Sequence, residues 1–539
     1  MAQRGEAVLS AQDLITELKR LAGEAHVLVD PNTLALAAND VHETGALPLA
    51  VVRPQSVEIL AACVRVATSQ GYSIAPRGGG LSYTAGYIPA GPKTISFDMS
   101  DLNRITDISE EDMTITVEAG VTWKQIYDTL QPLGRRLPFF GTFSGKGATV
   151  GGGLSHGALF FGSARYGSGA EMVLGLDVVC ADGKILRTGQ GALKAKSKPF
   201  IRSFGPDLTG LFVHDGGTLG VKAQATLRLI AAPASEDFAS FSFSRIEDAS
   251  AALSAIARED LADDVYILDP ASTDHLDLSA TDMMRSASAV ARSAKNPVRA
   301  LKSLTSMATA GTRFIPEGHF SLHVTAAGRS EAAVRADLNR ARDLAIKTGG
   351  SEVAATIPRV ARADLFANLN GVVGPSGGRW AALNAKVAHS DAGRLIAAFD
   401  DMVAPHRDVM LQKGVSFTRL ASALSNHCFS FEPVFHWQDS WLPIHRAVAD
   451  PAHLRQYNEP SPNPEARALV DLLRKETVEL FREFGAASNQ IGRVYPYFSA
   501  LAPKPAGLLL ALKNHLDPHN LMNPGVLEFP SPKREDQIQ

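Results

Sequence analysis

The sequence predicts an α+β protein of two or three domains, and three observations carry that prediction. A chain of 539 residues, 45% apolar and 20% charged, has the composition of a globular protein and is too long for one ordinary core. From about residue 48 to 230, short β-rich runs alternate with helical patterns and glycine-rich turns. Beyond "AAPASED" glycine thins out, and long helical patterns are set between strands.

The elements follow in chain order. "LAVVRP" reads as a strand, "SVEILAACVRVATSQ" as an amphipathic helix with Ser56 as N-cap, and "YSIAPR" as the next strand, which together make a β-α-β unit. Further strands are expected at "KTISFDM", "TITVEAG", "LGLDVVCADGKILRT" and "VKAQATLRLIAAP", with a hairpin turn at the "ADG" of the third. In the second half, "ASAALSAIAREDL" and "SEAAVRADLNRARDLAIKTG" read as helices and "HFSLHVTAA" as a strand. The first unit is expected to span 1–231 and the second 232–500.

Composition narrows the function. A formal net charge of −3 offers no general attraction to nucleic acid or an acidic membrane. Cys63, Cys180 and Cys428 are widely spaced with no CxxC pair, which argues against a disulfide framework, a zinc site or an iron–sulfur site. The first residues lack the charged-then-apolar order of a signal peptide, and no run of about 18 apolar residues occurs. A cytoplasmic protein without a transmembrane segment is expected. Residues 283–313 carry Arg285, Arg292, Lys295, Arg299, Lys302 and Arg313 and no acidic residue. A solvated helix or mobile loop is the plain reading, and a docking surface for an electron acceptor or an anionic membrane is the functional one.

The glycine loops are the most constrained feature. In "PRGGGLS", residues 76–82, Gly78, Gly79 and Gly80 bare the backbone so that N–H groups can converge on an anion. Ser82 adds a hydroxyl and Arg77 a fixed positive charge. A tight turn that needs positive φ is the alternative. A longer glycine loop runs from 141 to 169, and a third, "HDGGTLGV", from 214 to 221. No strand leads into a GxGxxG helix start with an acidic residue about 20 positions on, so NAD is not expected. Three such loops suggest an extended, polyphosphate-bearing cofactor.

Five phrases in order, "PRGGGLS", "GATVGG", "RYGSGAEMVLGLDVVCADGKILRTG", "GPDLTGLFVHDGGTLGV" and "LKNHLDPHNLMNPGVL", resemble the FAD-linked oxidase superfamily of vanillyl-alcohol oxidase and p-cresol methylhydroxylase. Its glycolate oxidase and D-lactate dehydrogenase branch is similar. The resemblance implies a two-subdomain p-cresol-methylhydroxylase-type FAD-binding domain, an α+β substrate cap domain, and a C-terminal segment, 501–539, that returns to the FAD domain. By position, Arg77, Gly78, Gly79, Gly80, Leu81 and Ser82 would hold the FAD pyrophosphate. Thr149, Gly151, Gly152, Ser155, His156 and Gly157 would line the ribityl chain and isoalloxazine; Gly216, Gly217, Gly220 and Val221 would lie along the adenosine or ring edge; and Asn523 would close the site. Some members attach FAD through a histidine in the first loop, and none stands between Arg77 and Tyr87.

Two stretches carry candidate chemistry. In "NQIGRVYPYFSAL", residues 489–501, Arg493, Tyr495 and Tyr497 would share one face of an extended backbone, where a guanidinium and two phenols suit a carboxylate or phenolate. An aromatic strand packed on the core, with a surface arginine, is the bland reading. The resemblance favours substrate binding. In "SNHCFSFEPVFHW", residues 425–437, alternation marks a buried strand containing His427, Glu432 and His436. A lone histidine there can be a core residue or, as neutral imidazole, a general base for an alcohol O–H, a role His427 and His436 share. The hydroxy-acid branch often has a closer-spaced metal-binding histidine pair; the separation of nine here puts the two on opposite faces of a strand, so no metal is assigned. The alkylphenol branch carries flavin covalently on a cap-strand histidine, for which His427 is the nearest match, although non-covalent FAD is favoured.

Ser168 stands where alkylphenol oxidases commonly have aspartate, which looks more like the lactate and glycolate branch, while "SGGRWAALNAKV" resembles the alkylphenol cap. The expected function is an FAD-dependent oxidoreductase moving a hydride from a 2-hydroxy acid or related alcohol to flavin, with oxygen or a redox protein as acceptor and a homodimer as the commonest assembly. A 4-alkylphenol or lignin-derived aromatic alcohol oxidase is the runner-up. A non-catalytic flavin-binding protein is the reading from another class.

Overall fold

The computed structural model describes residues 9–195, 197–274, 315–366 and 368–530, so the basic stretch 283–313 lies outside the described residues. Three sheets organise it. The first has the order Val27–Leu28, Ala50–Val52, Thr94–Asp98, Ser73–Arg77. The expected β-α-β unit is present, with helix Val57–Ser69 started by Ser56, whose hydroxyl accepts the N–H of Ile59. Its two strands are not neighbours, because Thr94–Asp98 pairs parallel with both.

The second sheet is antiparallel, in the order Ile105–Ser109, Thr114–Glu118, Val221–Arg228, Val173–Val179, Ile185–Arg187. The "ADG" turn joins the last two: Cys180 N–H donates to Lys184, and Gly183 has φ +74°.

The third sheet has eight strands from residues 235–437, and all its pairings are antiparallel. Helices Ile246–Arg258, Glu331–Lys347, Ala392–Val403 and Pro464–Glu483 pack on it and on one another. Alternation decides the two faces of its central hairpin, Ser416–Leu424 and Cys428–Trp437. Ala421, Ala423, Phe429 and Phe431 are buried in the core beneath the helices. Leu420, Ser422, Ser430 and Glu432 point the other way, into a cavity.

The last described residues come back to the start. Ile74 N–H donates to the Leu521 carbonyl and Asn523 N–H to the Ile74 carbonyl, both at 2.8 Å, so Leu521–Asn523 covers the outer edge of strand Ser73–Arg77. Among the described residues no helix is long and apolar enough to cross a membrane.

Candidate functional site

A cavity of about 520 Å³ lies between the glycine loops and the exposed face of the eight-stranded sheet. Its first wall is backbone-rich. Arg77, Gly78, Gly79, Gly80, Leu81, Ser82, Thr149, Gly151, Gly152, Ser155, His156, Gly157, Gly216, Gly217, Gly220 and Val221 all line it. At Gly79 an added Cβ would run into the carbonyl of Gly147, and at Gly78 into the Thr149 hydroxyl. The first two loops therefore touch backbone to backbone, a packing open only to glycine.

Several polar groups on this wall are committed within the protein. The Arg77 guanidinium donates to the Asn39 carbonyl at 2.9 Å, lies 4.7 Å from the centre of the Tyr87 ring, and sits beneath Gly80, so it braces the loop as well as lining the cavity. The Ser82 hydroxyl donates to Gln490 Oε1 at 2.7 Å. Lys222 is paired with Asp215. Burial pushes His156 down to about 4, which keeps its imidazole neutral at pH 7. Asn523 does not line the cavity; its amide donates to the Gly86 and Gly216 carbonyls, at 2.7 and 2.6 Å, and so ties the first and third glycine loops to the C-terminal segment.

The opposite wall is largely apolar and carries two acidic residues, Asp364 and Glu432. Leu365, Leu369, Trp380 and Leu420 line the cavity with Glu432, whose titration is pushed up to about 7 by burial. Asn384 steadies it: its Nδ2 donates to Ser430 Oγ at 2.9 Å and to Glu432 Oε2 at 3.4 Å. Tyr83 is buried and edge-on to Trp380, and its hydroxyl accepts from Gln490 at 3.2 Å. Asn489 is also buried on this wall, with Oδ1 lacking a hydrogen-bond partner. On this sheet side no lysine or arginine lines the cavity among the described residues.

None of the five predicted catalytic residues lines the cavity. Residues 489–501 are not a strand: Gln490 and Gly492 have φ of +51° and +55°, and turns follow, so the extended backbone expected to align Arg493 with Tyr495 and Tyr497 is not formed. Arg493 donates to the carbonyls of Ala85, Ile88 and Pro524. Tyr495 accepts the backbone N–H of Asn384 and, together with Tyr497, lines a different cavity. His427 lies in the exposed turn between the two hairpin strands, not in the strand itself. His436 bonds Thr418 Oγ1 at 2.9 Å. It shares the face of Glu432 but lies further along the strand. Glu432 went unassigned in the sequence, although a lone acidic residue inside an apolar, alternating run is the signal that marks it.

The site fits FAD on its own chemistry: two glycine backbones in contact, a neutral imidazole, a loop braced by a guanidinium, and an asparagine with an unused acceptor. Residues 48–189 match the family described as FAD binding domain. The chain is 30% identical over 213 residues to D-lactate dehydrogenase [cytochrome] 1, mitochondrial, of Saccharomyces cerevisiae, covering 39% of this chain and 35% of that protein. It is 31% identical over 189 residues to glycolate oxidase subunit GlcD of Bacillus subtilis, covering 35% and 38%. The chain thus spans under half the length of these curated relatives. A crystal structure of p-cresol methylhydroxylase with substrate bound superposes with TM-score 0.69 at 20% identity, covering 96% of this chain and 97% of that one. Residues 48–189 therefore match an FAD-binding domain, and the chain has the fold of p-cresol methylhydroxylase.

Proposed function

We propose that the protein is an FAD-dependent oxidoreductase that removes a hydride from a C–H bond next to oxygen, with a 2-hydroxy acid or related alcohol as substrate. The observation that carries this reading is the carboxyl of Glu432, which titrates near 7 on the cavity wall opposite the glycine loops. The glycine-loop residues hold the cofactor, and FAD, when bound, supplies the two-electron acceptor. Ionised Glu432 takes the proton of the substrate hydroxyl as the hydride leaves carbon, so an alcohol becomes a carbonyl. Burial holds the Tyr83 phenol well above its ordinary titration range, so it stays protonated and can donate to the substrate oxygen. The names of the D-lactate dehydrogenase and glycolate oxidase relatives support the hydroxy-acid class.

A 4-alkylphenol or aromatic alcohol is the second reading. It is favoured by the apolar sheet-side wall, which offers a substrate carboxylate no counter-charge among its described residues. Anaerobic mixing with D-2-hydroxy acids and 4-alkylphenols separates the two: the class that bleaches the flavin is the substrate class. Bleaching by neither overturns both in favour of a non-catalytic flavin protein. The proposed units are 1–231, 232–500 and the returning segment 501–539. Oxygen or a redox protein takes the electrons. The proposed assembly is a homodimer in the cytoplasm; the mitochondrial relative makes cell fractionation the check on location.

A further inference from the structure

Behind the third glycine loop lies a second cavity, about 470 Å³, that shares no lining residue with the first. Its size falls in the range of about 300–1,000 Å³ that holds small organic molecules. Ile491, Leu501, Leu509, Leu527 and Phe529 supply apolar lining. Lys386, His214 and Tyr497 supply polar groups to the same lining.

Lys386 is anchored through its backbone, which exchanges hydrogen bonds with Ala487. Its ammonium forms no ion pair among the described residues. The carboxylate on the same wall, Asp215, is already paired with Lys222 and accepts the Gly217 N–H. Glu171 acts on the Lys386 ammonium through space only, so the cavity carries a cation with no direct ion-pair partner among the described residues, which is costly to bury. Burial lowers the affinity of Lys386 for its proton, and burial with the positive charge of Lys386 holds His214 down to about 4; both residues line this cavity. His214 Nε2 is buried without a hydrogen-bond partner.

We propose that this second cavity binds a carboxylate with an apolar body, its carboxylate on Lys386 and His214 and its body against the leucines and Phe529. An anion supplies the direct ion-pair partner that Lys386 lacks, and the apolar wall selects against small inorganic ions. Loop 213–222 contributes walls to both cavities, so the occupant lies directly behind the flavin loop.

Calorimetric titration of the flavin-loaded protein with octanoate and with 1-octanol tests the site without depending on turnover. One octanoate should bind per chain, at least tenfold more tightly than 1-octanol. Lys386→Met should weaken octanoate at least tenfold, and Leu509→Trp, which fills the cavity and leaves the charge, should abolish binding. The proposal is overturned by absence of saturable binding, by equal affinity for 1-octanol, or by octanoate binding that survives Leu509→Trp, since that binding belongs to the flavin cavity.

Discussion

The hydroxyl of Tyr495 accepts the backbone N–H of Asn384 at 2.7 Å, and the side chain of Asn384 donates to Glu432. A residue outside the glycine-loop cavity thereby holds the frame of Glu432 on its sheet-side wall. Tyr495→Phe removes the acceptor and strands a buried N–H, at a cost of about 1–3 kcal/mol in a denaturant melt. Because the Asn384 bond holds the titration of Glu432 down, loosening it should move the pH midpoint of flavin reduction upward.

Glu432→Gln keeps shape and loses the base. Flavin content should be unchanged, while stopped-flow reduction slows about 10²–10⁴-fold. In the parent protein, reduction should rise as pH passes about 7 and then level off. Stability has the opposite sign. The folded carboxyl binds its proton more tightly than the reference value of 4.5, so Glu432 favours the fold below that value, and the contribution is lost as pH rises to about 7. The glutamine variant should lack that loss in melts recorded across this window.

Gly79→Val places side-chain atoms against the Gly147 carbonyl and wedges the first two loops apart. Purified variant should show far-UV circular dichroism like the parent's with flavin absorbance reduced at least tenfold. Full flavin content would remove the first loop from the cofactor site.

Asn523→Ala frees the Gly86 and Gly216 carbonyls from their shared donor. The cost should be about 2 kcal/mol, seen partly as weaker FAD retention on dialysis, even though Asn523 lines no part of the cavity.

His427 stands in an exposed turn, away from the cavity lining. Acid precipitation should therefore release all the flavin into the supernatant, and His427→Ala should keep the parent's flavin content. Yellow colour in the acid pellet, lost in that variant, would reverse the assignment.

The glycine loops were legible because their constraint is local: runs such as Gly78–Gly80 mark places where backbone must approach backbone, whatever the rest of the fold does. Helix Val57–Ser69 was legible from Ser56 and the apolar period. The substrate side was not, because the two-residue alternation rule holds only on extended backbone. The positive φ angles at Gln490 and Gly492 send Arg493 to the carbonyls of Ala85 and Ile88, while Tyr495 and Tyr497 turn to the second cavity. In the hairpin, where the backbone is extended, the rule holds and sets Glu432 opposite Leu420 on the cavity face. What sequence spacing lacked was which face of that hairpin met the glycine loops, a fact of tertiary packing.

The return of Leu521–Asn523 to strand Ser73–Arg77 also sets an order of events during synthesis. Residues 48–189, the stretch that matches the FAD-binding family, leave the ribosome with one sheet edge uncovered, and unpaired edges invite wrong pairing. Only when residue 523 has emerged can the edge close and Asn523 join the first and third loops. Flavin capture is thus a late step of biogenesis, and a chain cut just before Leu521 should accumulate colourless, with every glycine of its loops in place.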